Sequence, residues 1–127
     1  MDRSEYHRWG ALLGTLSEIG DLERQVVVQI EDPVSFVPDS LLEQWYGIFR
    51  GGHGLRKAGV SEELLEILLE FDYGLDQVVD IIPDDAADKV IFLRSDTVWQ
   101  AVREMAEWAL DRIVDATTPE PVDITLN

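Results

Sequence analysis

The stretch Arg50-Gly-Gly-His-Gly-Leu-Arg-Lys57 puts three glycines, a histidine and three cations into eight positions. Backbone N–H groups of a glycine-rich turn can converge on an anion. Arg50, His53, Arg56 and Lys57 would complete the charge around Gly52. The stretch is not a P-loop, because the G-x-x-x-x-G-K-[ST] pattern and a preceding strand are both absent. Its plainer role is a joint. Glycine ends one helix, and cations near that C-terminus complement the helix dipole. The joint is the preferred reading, with Arg50, Gly52, His53, Arg56 and Lys57 kept as a candidate anion site.

Carboxylates supply the second chemistry. Glu63 and Glu66 are three apart, followed by Glu70, Asp72 and Asp76, and Glu104, Glu107, Asp111 and Asp115 form a second series. A carboxylate cluster can hold Mg²⁺ through oxygen ligands for phosphoryl hydrolysis, and the glycine loop would then hold phosphate. In a helical bundle the carboxylates must point inward for this. At about 100° per residue, Glu104, Glu107, Asp111 and Asp115 fall opposite Val98, Ala101, Val102, Met105, Ala109 and Ile113. Leu64, Leu65 and Leu68 likewise hold the inward side of the earlier segment. Both series therefore read as outward faces, and no metal or other cofactor is assigned. The calcium-loop spacing is missing, as are an H-E-x-x-H pair and a G-x-S-x-G elbow. No catalytic residue is assigned.

The 127 residues carry 26 Asp and Glu against 10 Lys and Arg, a net charge of -16. Such a field repels phosphate backbones and anionic membrane surfaces, so neither nucleic acid nor membrane is an expected partner. It attracts a basic protein and speeds its association. No Cys is present, which removes disulfides and thiol chemistry. The N-terminal residues lack a signal-like apolar run, and no apolar stretch approaches a membrane span. The expected location is the cytoplasm.

These groups must be positioned by helices. Tyr6, Trp9, Leu12, Leu13, Leu16 and Ile19 recur at three and four, with Ser4 as cap and Gly20 as stop. Gly10 and Gly14 lie inside this helix, and their spacing suggests close approach of a neighbour. Leu22, Val26 and Ile30 fit a helix, but the run Val26-Val27-Val28 fits a strand equally well. Pro33 and Pro38 bracket an irregular connection before a helix opened by Asp39 or Ser40. Ser61 caps the next helix, which Gly74 is expected to break, and Pro83 ends a further short one. Residues 86–94 are ambiguous, with Asp84 or Asp85 as a possible cap. Asp96 caps the longest helix. Its Trp99 and Trp108 lie on opposite edges of the apolar arc, so one of them is expected to be partly exposed, as an interaction hot spot would be.

The expectation is a mainly α, single-domain bundle of about five to seven short helices over residues 1–117. Residues 118–127 form a tail, either loose or an edge strand. The alternative is α+β, with a small sheet from 26–30, 90–93 and the tail. For function, the expectation is a small acidic module binding a basic protein, of immunity or antidote type, through Glu62, Glu63, Glu66, Glu70, Asp72 and Asp76. A helical metal-dependent phosphohydrolase is the alternative.

Overall fold

A computed structural model of the chain describes residues 3–117. The architecture is all helical among these residues. In chain order the helices are α1 (Arg3–Gly20), α2 (Leu22–Glu31), α3 (Val37–Phe49), α4 (His53–Lys57), α5 (Glu62–Val78), α6 (Lys89–Ser95) and α7 (Thr97–Thr117). Two 3₁₀ turns, Arg50–Gly52 and Val79–Ile81, join them. Segments 26–30 and 90–93 are helical, which removes the small-sheet alternative for both. The tail from 118 onward lies outside the described residues.

Caps explain why the two ambiguous segments are helices. Asp21 accepts from Arg24 N at 3.0 Å and starts α2. Asp88, rather than Asp84 or Asp85, accepts from Ile91 N at 3.0 Å and starts α6. Each satisfies a donor that a helix start leaves orphaned, enough to tip a β-branched run into a helix that packing then secures. Ser61 and Asp96 cap α5 and α7 as their positions predict. The third helix starts earlier than Asp39: Val37 and Pro38 are already helical, Pro38 sitting in the first turn where its missing N–H is harmless.

The core draws on every helix. Leu12, Leu16 and Ile19 of α1 meet Leu41 and Trp45 of α3, Leu65, Leu68 and Phe71 of α5, and Trp99, Val102 and Ala106 of α7 in one cluster. Trp45 sits at its centre, stacked on Phe49 at 4.8 Å and edge-on to Phe71 at 4.7 Å between ring centroids. Trp99 meets Gln25 just beyond α1, and Glu107 lies against Gly20, so α7 runs antiparallel to α1. The inward side of α7 is Trp99, Val102, Ala106, Ala109 and Ile113; Ala101 faces out, a rotation from the expected arc.

Glycine roles differ from expectation. A Cβ at Gly10 or Gly14 would meet nothing, so neither admits a neighbouring helix. Gly74 does not break α5. It lies within the helix, and a Cβ there would come to 2.7 Å from Met105 Sδ. The glycine therefore sets how closely α5 and α7 approach.

The least foreseen feature is on α2. Its buried residues are Gln25, Val26 and Gln29, while Ile30 is 65% exposed. The expected Leu22–Val26–Ile30 stripe is thus turned aside by two glutamines. Gln29 Nε2 donates to the carbonyls of Asp32 at 3.0 Å and Ser35 at 2.6 Å, and its Oε1 accepts from Val37 N at 3.0 Å. That last bond substitutes for the side-chain cap that Phe36 does not provide to α3.

Candidate functional site

The α5–α7 surface holds a groove of about 540 Å³. Phe71, Tyr73 and Gly74 form one wall, Met105 and Trp108 the other, and Glu70 and Glu104 stand at its rim. Both large aromatics are open to solvent: Tyr73 is 68% exposed and Trp108 is 39% exposed. Trp99, at the other edge of the α7 arc, is fully buried and donates its indole N–H to Gln25 Oε1 at 2.9 Å. The expected asymmetry between the two tryptophans is therefore present, with Trp108 the exposed one. The absent Cβ at Gly74 leaves room for the Met105 thioether. An adaptable sulfur, two aromatic faces and two carboxylates suit a ligand that is apolar along its body and cationic at its tip.

The six α5 carboxylates separate into two groups. Glu62, Glu63, Glu66 and Glu70 are exposed. On the continuous helix Glu63 and Glu66 lie within about 40° of Glu70, on the groove side. Asp72 lies about 200° from Glu70 at about 100° per residue and faces α3 instead. Trp45 Nε1–H donates to Asp72 Oδ1 at 2.8 Å, and Tyr46 O–H donates to Asp76 Oδ1 at 2.7 Å. Asp72 and Asp76 thus tie α5 to α3 and are not free acids on the groove face. The six residues expected to share one surface therefore divide: Glu63, Glu66 and Glu70 lie on the groove side, Glu62 pairs with Arg56, and Asp72 and Asp76 bond to α3. Glu104 stands at the groove rim from α7. Glu107, Asp111 and Asp115 are exposed, as the outward reading of that face requires.

The Asp72 bond carries a pH signature. Burial pushes its carboxyl up from the ordinary value; the indole N–H opposes this, and neighbouring Asp76 adds to it. A carboxyl whose folded-state pKa is raised binds its proton more tightly when folded. Its penalty on stability is absent below the unfolded value, near about 3.9, and grows as pH rises through the folded one. Asp72→Asn removes the charge and keeps a carbonyl for Trp45. The variant is expected to be at least as stable as the parent at neutral pH, with the difference vanishing as pH falls below about 4. Asp72→Ala, which orphans the indole N–H, should instead lose about 1–2 kcal/mol. Thermal melts of the three proteins across the acid range test this. A constant Asp72→Asn difference at every pH would contradict it.

The glycine–cation stretch does not converge on one point. Gly52 is buried at φ 81°, and a Cβ there would sit 2.8 Å from Leu65 Cδ1. It serves packing, not ligand contact. Arg56 pairs with Glu62 at 3.6 Å, both exposed, and His53 and Lys57 are exposed on the short α4. Arg50 alone turns toward other cations, lining a hollow with His7 and Arg8 of α1. The five residues kept as a candidate anion site are therefore not gathered around one hollow. The joint reading of the loop holds, and only Arg50 retains a place in a cationic pocket. The α1 contribution is invisible in sequence because more than forty residues separate Arg8 from Arg50.

Among the described residues no three His, Asp or Glu side chains gather as a metal site would require, although Glu70 and Glu104 reach one groove from two helices. No helix among these residues is long and apolar enough to cross a membrane. No family model, curated protein or solved structure matches the chain.

Proposed function

We propose that this chain is an acidic cytoplasmic binding module whose partner is a basic protein, docked on the α5–α7 face. The observation that carries the reading is the groove of Tyr73, Met105 and Trp108 with Glu70 and Glu104 at its rim. Exposed tryptophan and tyrosine beside a hollow are the residue types that dominate binding energy at protein interfaces. Carboxylates around them favour lysine or arginine, which can lie across an aromatic face while the rim neutralises the charge. The net charge of -16 adds long-range attraction. In its most specific form the reading is an immunity or antidote protein. The glutamates of 62–70 and the acids of 104–115 would then oppose the cationic substrate groove of a toxic nuclease.

The test is affinity capture from the native host with quantitative mass spectrometry, followed by binding kinetics on the purified pair. Trp108→Ala is expected to weaken the complex by about 2 kcal/mol, roughly 30-fold. Combined reversal at Glu66, Glu70 and Glu104 should slow association at least about tenfold at low salt, the gap narrowing as salt rises. Neither variant alters a buried residue, so both should keep the parent circular dichroism. A basic partner that binds both as tightly as the parent would move the interface off this groove.

A further inference from the structure

We propose that the hollow between α1 and α3 is a phosphate-binding site for a small phosphorylated molecule. It has a volume of about 320 Å³ and is lined by His7, Arg8, Ala11, Gly47, Ile48 and Arg50. None of these is acidic, in a chain with 26 Asp and Glu against 10 Lys and Arg. Among the described residues neither arginine has an ion pair, whereas Arg56, Lys89 and Arg94 each do.

Features of the backbone position Arg50 and leave room for Arg8. Arg50 has φ 47°, the one left-handed residue other than glycine among the described residues. Such a conformation is unfavourable for a residue with a Cβ and persists only where its surroundings enforce it. Here Gly51 and Gly52, also at positive φ, continue the turn, and Arg50 Nε donates to Gly47 O at 2.8 Å. That bond uses one nitrogen and leaves the two terminal amino groups for another acceptor. Arg8 lies with its guanidinium against Gly54, where any Cβ would collide with it. Glycine at 54 thus keeps open the position that Arg8 occupies beside α4.

Two arginines and a histidine line one hollow, and arginine is suited to bidentate contacts with the several acceptor oxygens of a phosphate. Ile48 and Ala11 supply an apolar wall for the body of a phosphomonoester. The volume falls in the range of small-molecule sites. The net field of the protein repels anions, so affinity must come from these short-range contacts and is expected to be modest. This site shares no residue with the α5–α7 groove and does not depend on the partner reading.

The experiment is a ¹H–¹⁵N NMR titration of the full chain with inorganic phosphate, and separately with phenyl phosphate, at ionic strength held constant with chloride. Saturable shifts confined to residues around 7–11 and 47–54 are expected. Arg8→Gln and Arg50→Gln should each weaken binding at least about tenfold. Gly54→Ala, which displaces Arg8 without removing its charge, should weaken it as well. Tighter binding of phenyl phosphate would assign the site to a phosphomonoester, and equal binding to free phosphate. Linear, unsaturable shifts, or titrations of Arg8→Gln and Arg50→Gln that match the parent while their spectra remain folded, would overturn the proposal.

Discussion

Gln25→Leu is expected to lower stability by about 3 kcal/mol, and the melting temperature by roughly 10 °C, although leucine is the more hydrophobic residue. Gln25 is 1% exposed. Its Nε2 donates to the carbonyls of Glu18 at 2.8 Å and Ile19 at 2.7 Å, and its Oε1 accepts from Trp99 Nε1 at 2.9 Å. One amide therefore closes the C-terminus of α1, holds α2 beside it and anchors the start of α7. Leucine would leave the buried Trp99 N–H without an acceptor and Ile19 O without this donor. Glu18 O would still accept from Asp21 N at 3.2 Å. Each buried polar group left unpaired costs about 1–3 kcal/mol, more than the gain from a larger apolar side chain at a site already filled. Gln25→Glu provides the control. It keeps an acceptor for Trp99 but turns a carboxylate toward two carbonyls, so it should be destabilised at neutral pH and partly recover as acid restores a donor. Urea unfolding followed by circular dichroism reads both. A Gln25→Leu protein within about 0.5 kcal/mol of the parent would mean that this network contributes little.

Gly52→Ala is expected to cost about 3 kcal/mol, from two sources that can be separated. Left-handed backbone is unfavourable for alanine by about 1–2 kcal/mol. The added methyl must also displace fully buried Leu65, whose Cδ1 lies 2.8 Å from the new carbon, and overpacking of this kind costs about 1–3 kcal/mol. Gly51→Ala isolates the first source. Its φ is 70°, but its Cβ would meet only His53 Cδ2 at 3.8 Å, so about 1 kcal/mol should be lost. Gly10→Ala and Gly14→Ala should move the other way, each gaining about 0.5–1 kcal/mol, because they sit in α1 with open space around them. Equal losses at 51 and 52 would show that Leu65 yields without penalty.

The sequence by itself determined the local half of this protein. Spacing of three and four in α1, α5 and α7 identified the helices, and Ser61 and Asp96 marked where two of them start. The same periodicity turned Glu104, Glu107, Asp111 and Asp115 outward. It could do so because helix formation, capping and facial position depend on residues within about one turn of each other.

Tertiary structure decided the rest. Why Gln25 is buried while Ile30 is exposed depends on carbonyls at the end of α1 and an indole 74 residues further along. Periodicity ranks side chains by hydrophobicity, but a glutamine with all its hydrogen bonds made is as acceptable in a core as valine. Gly74 had the composition of a break and became a contact, since the deciding atom is the sulfur of Met105 on another helix. Asp72 and Asp76 left the acidic face for Trp45 and Tyr46 in the same way. The groove at Trp108 and the meeting of Arg8 with Arg50 exist only once α1, α3, α5 and α7 have packed. Their chemistry arises from side chains that share no local pattern, held together by a common core.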